Sequence, residues 1–299
     1  MTEPIIRARG LEKRFGDVAA VRGVDLDVPP GTCLGLLGPN GAGKTTTMRM
    51  LMGLTRPTAG TLTVFGRPLA DADRAQRRRV GLVPQDNNLD PDLTVVENLE
   101  VYGRYFGLPA DTVRERVGRL LAFMQLAEKA KAKVNQLSGG MKRRLVIARA
   151  LIAEPDLVIL DEPTTGLDPQ ARVLIWKQLG GLKAAGKTLL LTTHYMDEAQ
   201  RLCDRIVLID GGRILDQGTP DELIGRHVLG HVVEVRHPVP AALLADGLAH
   251  EDIGDAVLFY VADPAHVIGR LPGEAEFLHR PANLEDVFLR LAGRQLRER

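Results

Sequence analysis

Along much of the chain, short unbroken apolar runs precede longer stretches with helical period. CLGLL (Cys33 to Leu37), VGLVPQ (Val80 to Gln85), DLVILD (Asp156 to Asp161) and KTLLLTT (Lys187 to Thr193) show no polar alternation. Continuous apolar strands are what a parallel sheet covered on both faces requires. Residues 5–28 and TLTVFG (Thr61 to Gly66) instead alternate, as strands of an edge sheet do. Helical stretches are predicted to about Leu54, over the basic ADRAQRRR (Ala72 to Arg79), and from Thr94 to about Gln125 with a break at Pro109. Further helices follow Ser138, cover Arg172 to Gly186, and run from Tyr195 to Asp204; RIVLIDGGRILDQG turns back at Gly211-Gly212. Strand–helix alternation of this kind predicts an α/β fold with a parallel core sheet and antiparallel additions at its edge.

Beyond about Arg226 the texture changes, and six of the seven histidines lie there. HVVEVRHP, PAALLADG, AHEDIGDAVLFYVAD, PAHVIGRL, EAEFLHRP and ANLEDVFLRLAG read as strand, helix, hairpin, helix, strand and helix. That order fits a small ferredoxin-like α+β unit. His227 and His231 have i, i+4 spacing without a convincing third ligand, and read as solvated.

Candidate chemistry collects where the apolar runs end. Cys33–Leu37 runs into Gly38-Pro39-Asn40-Gly41-Ala42-Gly43-Lys44-Thr45-Thr46 and then a helix. This is G-x-x-x-x-G-K-[ST] between a strand and a helix, a phosphate cradle. Its glycines let backbone N–H groups converge on phosphate oxygens, and the helix start adds its unpaired N–H groups. Lys44 would reach the β- and γ-phosphates, and the Thr45 hydroxyl a Mg²⁺ ion. Asp161 and Glu162 close a buried strand, a costly place for two acids unless a cation or an active site uses them. Gln85 and His194 close two more strands, and in such sheets function gathers at the strand carboxyl ends. Ser138 is an N-cap and, with Gly139 and Gly140, a possible second anion-binding helix start. Phe15 alone reads as a half-buried strand aromatic, and Tyr102, Tyr105 and Phe106 as packing residues or part of a partner surface. The arginines of Ala72–Arg79 read as a solvated face.

Composition removes alternatives. Net charge is +1, so no global field argues for nucleic acid as a partner. No apolar run approaches the ~18 residues of a membrane span, and MTEPIIRARG lacks the apolar core of a signal peptide. Cys33 and Cys203 have no CxxC spacing and read as buried and reduced. No internal repeat is present.

Together these motifs resemble the ATP-binding subunit of an ABC transporter, over about residues 5–235. GPNGAGKTT (Gly38 to Thr46) is similar to its Walker A, LVILDE (Leu157 to Glu162) to its Walker B and LSGGM (Leu137 to Met141) to its signature. Gln85 resembles the Q-loop, GLD (Gly166 to Asp168) the D-loop and His194 the H-loop. Spellings such as LSGGMKRRL, TTHYMDEAQRLCDR and LEDVFLRLAGRQLRE resemble ABC-2-type exporters, the nodulation ATP-binding protein I group in particular. Daunorubicin-type drug exporters share much of this pattern.

The resemblance implies a P-loop NTPase cassette over 5–235, with a helical subdomain at about 86–155, and a small α+β domain over 236–299. It implies an ATPase using ATP and Mg²⁺ that energises export of a (lipo-)oligosaccharide, or of a drug, through a separate integral-membrane permease of ABC-2 type. Phe15 would stack on adenine, and Thr45, Gln85 and, through water, Asp161 would surround the metal. Glu162 would be the general base, and His194 would bond the γ-phosphate. Two subunits would pair head to tail, Ser138–Gly140 of each covering the other's ATP, at the cytoplasmic face of the inner membrane. A soluble, non-transport ABC ATPase of DNA repair or chromosome structure would carry a long coiled coil between Gly38 and Asp161, where no sustained heptads appear, and a ribosome-associated factor would carry two cassettes where this chain has one.

Overall fold

The computed structural model describes residues 3–68 and 72–297, which fall into two units dividing between Asp216 and Gln217. In the first, β1 (Ile6–Phe15) and β2 (Val18–Val28) precede β3 (Cys33–Leu37) and α1 (Lys44–Leu51). Then come β4 (Ala59–Val64), β5 (Arg67–Pro68), α2 (Arg74–Arg78) and β6 (Val80–Val83). Three helices follow: α3 (Val95–Tyr105), α4 (Ala110–Phe123) and α5 (Gly139–Leu151). The unit closes with β7 (Leu157–Asp161), α6 (Pro169–Ala184), β8 (Thr188–Thr193), α7 (Met196–Leu202), β9 (Arg205–Asp210) and β10 (Arg213–Gly218).

The central sheet has the order β10-β9-β3-β8-β7-β6, and every pairing from β9 to β6 is parallel. Each residue of β3, β7 and β8 is buried, which explains their unbroken apolar pattern. The alternating segments form a separate antiparallel sheet, β2-β1-β4-β5. Its inner residues Ile6, Ala8, Leu11, Val24 and Leu26 pack with Met48, Met50 and Leu51 of α1 and Leu34 and Leu36 of β3. One core therefore fixes the phosphate-loop helix against both sheets.

Two expectations need correction. α1 stops at Leu51 rather than near Leu54, because Gly53 turns the chain at φ 71°. The α2 arginines are not simply a solvated face: Arg74 and Arg78 donate to the Tyr105 and Phe106 carbonyls at the end of α3. Such donors satisfy helix-terminal carbonyls that lack intrahelical partners. Arg79 pairs with Asp156 at 2.7 Å and lies 3.7 Å over the Phe65 ring. Of the three aromatics on and after α3, Tyr105 is no core residue, being 76% exposed. Tyr102 carries the Arg149 guanidinium at 4.2 Å.

The second unit contains α8 (Pro220–His227), β11 (His231–Arg236), α9 (Ala241–Ala245), β12 (Ala249–Asp252), β13 (Ala256–Val261), α10 (Ala265–Ile268), β14 (Phe277–Pro281) and α11 (Leu284–Arg297). Its antiparallel sheet runs β12-β13-β11-β14, so each β-α-β crossover skips one strand, the ferredoxin-like pattern. Val233, Val235, Val257 and Phe259 form a core with Leu243 of α9 and Val267 of α10. His231 is half-buried and lies within 3.2 Å of His279. Among the described residues of the unit no three histidines, cysteines or acids are grouped to hold a metal ion.

Candidate functional site

The phosphate loop joins β3 to α1, and two glycines are sterically required there. A Cβ on Gly38 would stand 2.0 Å from the Ile209 carbonyl oxygen of β9. Gly43 has φ 100°, and its Cβ would stand 2.5 Å from the Ala20 carbonyl oxygen. Only glycine meets both demands without moving the neighbouring backbone. The β9–β10 turn braces the loop, with Gly212 N–H donating to Ala42 O at 3.0 Å and Arg22 N–H to Gly212 O at 2.8 Å. Gly43, the N-cap of α1, offers no capping side chain. The first helical N–H groups are thus available to an anion. The buried Lys44 ammonium donates to Gly38 O at 2.6 Å and Pro39 O at 3.0 Å. Burial lowers its pKa, and the charges of Glu162 and Asp161 oppose that shift. Thr45 is exposed and Thr46 half-buried, both within the first turn of α1.

Facing this field, Glu162 follows the last residue of β7 with φ 45°, a region non-glycine residues seldom occupy. Its N–H donates to both Thr192 O and Thr192 Oγ1, each at 3.1 Å. Around its carboxylate stand Gln85 Nε2 at 3.2 Å, Thr165 Oγ1 at 3.1 Å and His194 Nδ1 at 3.4 Å. Asp161 is buried and accepts from Thr192 Oγ1 at 2.5 Å. The ends of β6, β7 and β8 therefore bring Gln85, Asp161, Glu162 and His194 together. Lys44, the first residue of α1, lies within electrostatic reach of both acids.

Two predicted parts lie outside the contacts just described. Ser138 caps α5, its Oγ accepting from Met141 N at 3.3 Å, and Ser138 and Gly139 are exposed while Gly140 is buried. Among the described residues no hydrogen bond or ion pair links Ser138–Gly140 to the phosphate loop. Phe15 closes β1 at 54% exposure, not half-buried among strand neighbours, and the Lys13 ammonium lies over its ring at 5.0 Å. Cys33 and Cys203 are buried free thiols with sulfurs 3.9 Å apart, and burial and their contact raise the Cys203 pKa.

Sequence reasoning missed Thr192, Thr165, Gly212, Glu198 and Arg143. Glu198 is fully buried, accepting from Thr164 Oγ1 at 2.8 Å and Trp176 Nε1 at 2.9 Å. Burial pushes its carboxyl up, while those hydrogen bonds pull the other way. Arg143 lies on α5 with Gly140, Ile147 and Ala150 on a buried face, so helical spacing could have flagged it. Burial pushes its guanidinium down to about 10, which leaves it charged at neutral pH.

Comparison with known proteins identifies the family. The ABC transporter family matches residues 21–165, and the nodulation factor export protein NodI C-terminal domain matches 243–293. The Nod factor export ATP-binding protein I of Cupriavidus metallidurans is 53% identical over 98% of this chain and 99% of that protein. Its counterpart in Burkholderia lata is 54% identical over 97% of each. Among solved structures, an ATP-binding subunit of an ABC transporter is 32% identical with TM-score 0.68, covering 74% of this chain and 92% of that one. A dimeric ATP-binding cassette in a post-hydrolysis state bound to ADP and Pi is 29% identical with TM-score 0.65, covering 72% and 98%. The chain belongs to the Nod factor export ATP-binding protein I family, and is an ABC-type ATPase of an exporter.

Proposed function

We propose that this chain hydrolyses ATP through Glu162 as general base and thereby drives export of a lipo-oligosaccharide of the Nod factor class. One observation carries the hydrolytic reading: Gln85 Nε2 and Thr165 Oγ1 donate to the Glu162 carboxylate, His194 Nδ1 lies 3.4 Å from it, and the buried Lys44 is within its electrostatic reach. Hydrolysis of a γ-phosphate needs charge neutralised on its oxygens and a water aligned behind phosphorus. The loop Gly38–Thr46 would hold the phosphates, with Lys44 at the β- and γ-oxygens. Phe15, exposed and flat at the end of β1, would stack on adenine. Glu162 would take the proton of the attacking water, and His194 would orient that water and bond the γ-phosphate.

The donor set suits Mg²⁺: the Thr45 hydroxyl, the Gln85 amide oxygen and the Asp161 carboxylate are hard oxygen ligands. When bound, Mg²⁺ neutralises charge on the β- and γ-oxygens.

The exposed Ser138–Gly139 pair suits a partner subunit's nucleotide, and we infer a head-to-tail homodimer closed by ATP. No helix among the described residues is long and apolar enough to cross a membrane; in this reading the stroke passes to a separate integral-membrane permease, and the ABC-2 type of that permease is part of the proposal. In this reading the exposed Tyr105 and Val101 of α3, downstream of Gln85, belong to the docking surface, and the chain works at the cytoplasmic face of the inner membrane. The substrate rests on the relatives' names and on the matched C-terminal domain.

Glu162→Gln tests the core of the reading. The variant binds ATP, elutes as a dimer in its presence, and loses turnover by roughly a hundredfold or more. A variant that stays monomeric with ATP and hydrolyses at the wild-type rate would falsify it.

A further inference from the structure

Arg143 is 4% exposed, and its guanidinium places all five N–H donors on main-chain carbonyls. Nε donates to Pro163 O at 2.7 Å; Nη1 donates to Pro84 O and to Gln85 O at 3.1 Å. Nη2 donates to Asp161 O at 2.9 Å and Glu162 O at 3.1 Å. Two chain segments are thus tied to one planar fork: the one bearing Gln85 and the one bearing Asp161 and Glu162.

The position of this tie is informative. The parallel ladder joining β6 to β7 ends at Val83↔Leu160. Arg143 takes up carbonyls from the very next residues, so it continues the registry of the two strands beyond the point where backbone pairing stops. The β6–β7 ladder has already joined the two strands up to this point. A buried guanidinium tied to carbonyls, with no ion pair to a carboxylate among the described residues, is, moreover, an expensive way to join them. Glu162 itself sits at φ 45°. Sparsely populated backbone persists only where surrounding groups over-determine it. Thr192 fixes the Glu162 N–H and Arg143 fixes its carbonyl, so the peptide units on both sides of the Glu162 side chain are held.

We propose that Arg143 is a positioning residue for hydrolysis, setting the separation of Gln85 and Glu162 through their main chains. The inference rests on the roles given above to those two residues. Lysine cannot replace the fork, having three donors on a flexible stem rather than five in a plane. Arg143 also stands one helical turn after Gly140, so α5 carries both this clamp and the Ser138–Gly140 segment.

The test uses the purified full chain. Steady-state ATPase kcat and KM, ADP affinity and thermal melting are measured for wild type, Arg143→Lys, Arg143→Gln, Gln85→Ala and the Gln85→Ala/Arg143→Lys double variant. Arg143→Lys lowers kcat about tenfold or more, while KM for ATP and ADP affinity change less than about threefold. In the Gln85→Ala background the same substitution costs less than about threefold, because residues acting through one another are not additive. Wild-type kcat in Arg143→Lys overturns the proposal. So does an undiminished loss in the Gln85→Ala background, or a parallel fall in ADP affinity. Arg143→Gln carries the same comparison if the lysine variant melts below assay temperature, and failure of both to fold assigns Arg143 to stability alone. Glu162→Gln separates the two readings. If it hydrolyses at the wild-type rate, the role of Glu162 fails; if it is inactive while Arg143→Lys is unaffected, only the present inference fails.

Discussion

The phosphate loop and the end of β7 face one another across the site, and they are held in shape by opposite means. The loop is built from backbone. Gly38 and Gly43 bring it against the carbonyls of Ile209 and Ala20, and Lys44 folds back on the Gly38 and Pro39 carbonyls. The β7 end is built from side chains that arrive from elsewhere: Thr192 from β8, Arg143 from α5 and Gln85 from beyond β6. A site half made of backbone and half of imported side chains has two modes of failure. Damage to the first should remove nucleotide binding; damage to the second should leave binding and remove turnover.

Gly38→Ala is the harshest way to break that comparison. The added Cβ would overlap the Ile209 carbonyl oxygen, a backbone atom in a buried strand that cannot swing aside. Overpacking of this kind costs about 1–3 kcal/mol of stability. Losing even one backbone N–H contact to a charged phosphate oxygen costs about 1.5–3 kcal/mol, so ATP affinity should fall at least about tenfold. Calorimetric titration with ATP and ADP measures both affinities, and both should fall together. A Gly38→Ala protein that binds either nucleotide normally would show that the backbone approach does not shape the loop.

The same contrast explains what could be read from the sequence. The loop was legible because its determinants are consecutive: strand, glycines, lysine and helix follow in one stretch from Cys33 to Thr46. The positions of Gln85, Asp161, Glu162 and His194 were legible because each closes an apolar run. What holds Glu162 was not, since Arg143 and Thr192 lie 19 and 30 residues away along the chain. A basic residue in MKRR gives no sign of turning inward until the buried face of α5 is known. The arginines of α2 were misread for a related reason, because their acceptors are the carbonyls ending α3. The ferredoxin-like order of the second unit was legible because strand order follows from element order through the skipped crossovers.

Thr192→Val removes one imported hydroxyl while preserving shape, and so tests the other side of the comparison. That hydroxyl donates to Asp161 and accepts the Glu162 N–H, and it is fully buried. Losing a hydrogen bond to a charged group and leaving buried partners short costs about 1–3 kcal/mol. Turnover should fall about tenfold with little change in KM, because the phosphate loop is untouched. Steady-state kinetics beside a denaturant melt distinguishes this result from simple unfolding. If KM rises and kcat holds, the two halves of the site are not built independently.

Glu198→Gln gives the mildest effect and asks whether the imported support responds to pH. Glu198 Oε1 holds Thr164, two residues past Glu162, and Trp176 of α6. Burial raises the carboxyl above its ordinary value of 4.5 in the folded protein. The folded state therefore holds this proton more tightly than the unfolded chain. The stability this gives is present at pH below the unfolded value, and it is lost as pH rises through the folded value. Glutamine keeps the carbonyl that accepts both bonds and cannot ionise, so it removes this part of the slope. The melting temperature of Glu198→Gln relative to wild type should thus rise by a few degrees between acid and neutral pH, as thermal melts across that range would show. ADP affinity, set by the backbone-built loop, should stay level over the same range in both proteins. A flat difference in melting temperature would mean that Glu198 ionises in the folded protein as readily as in the unfolded chain, and its hydrogen bonds to Thr164 and Trp176 would then outweigh the effect of burial.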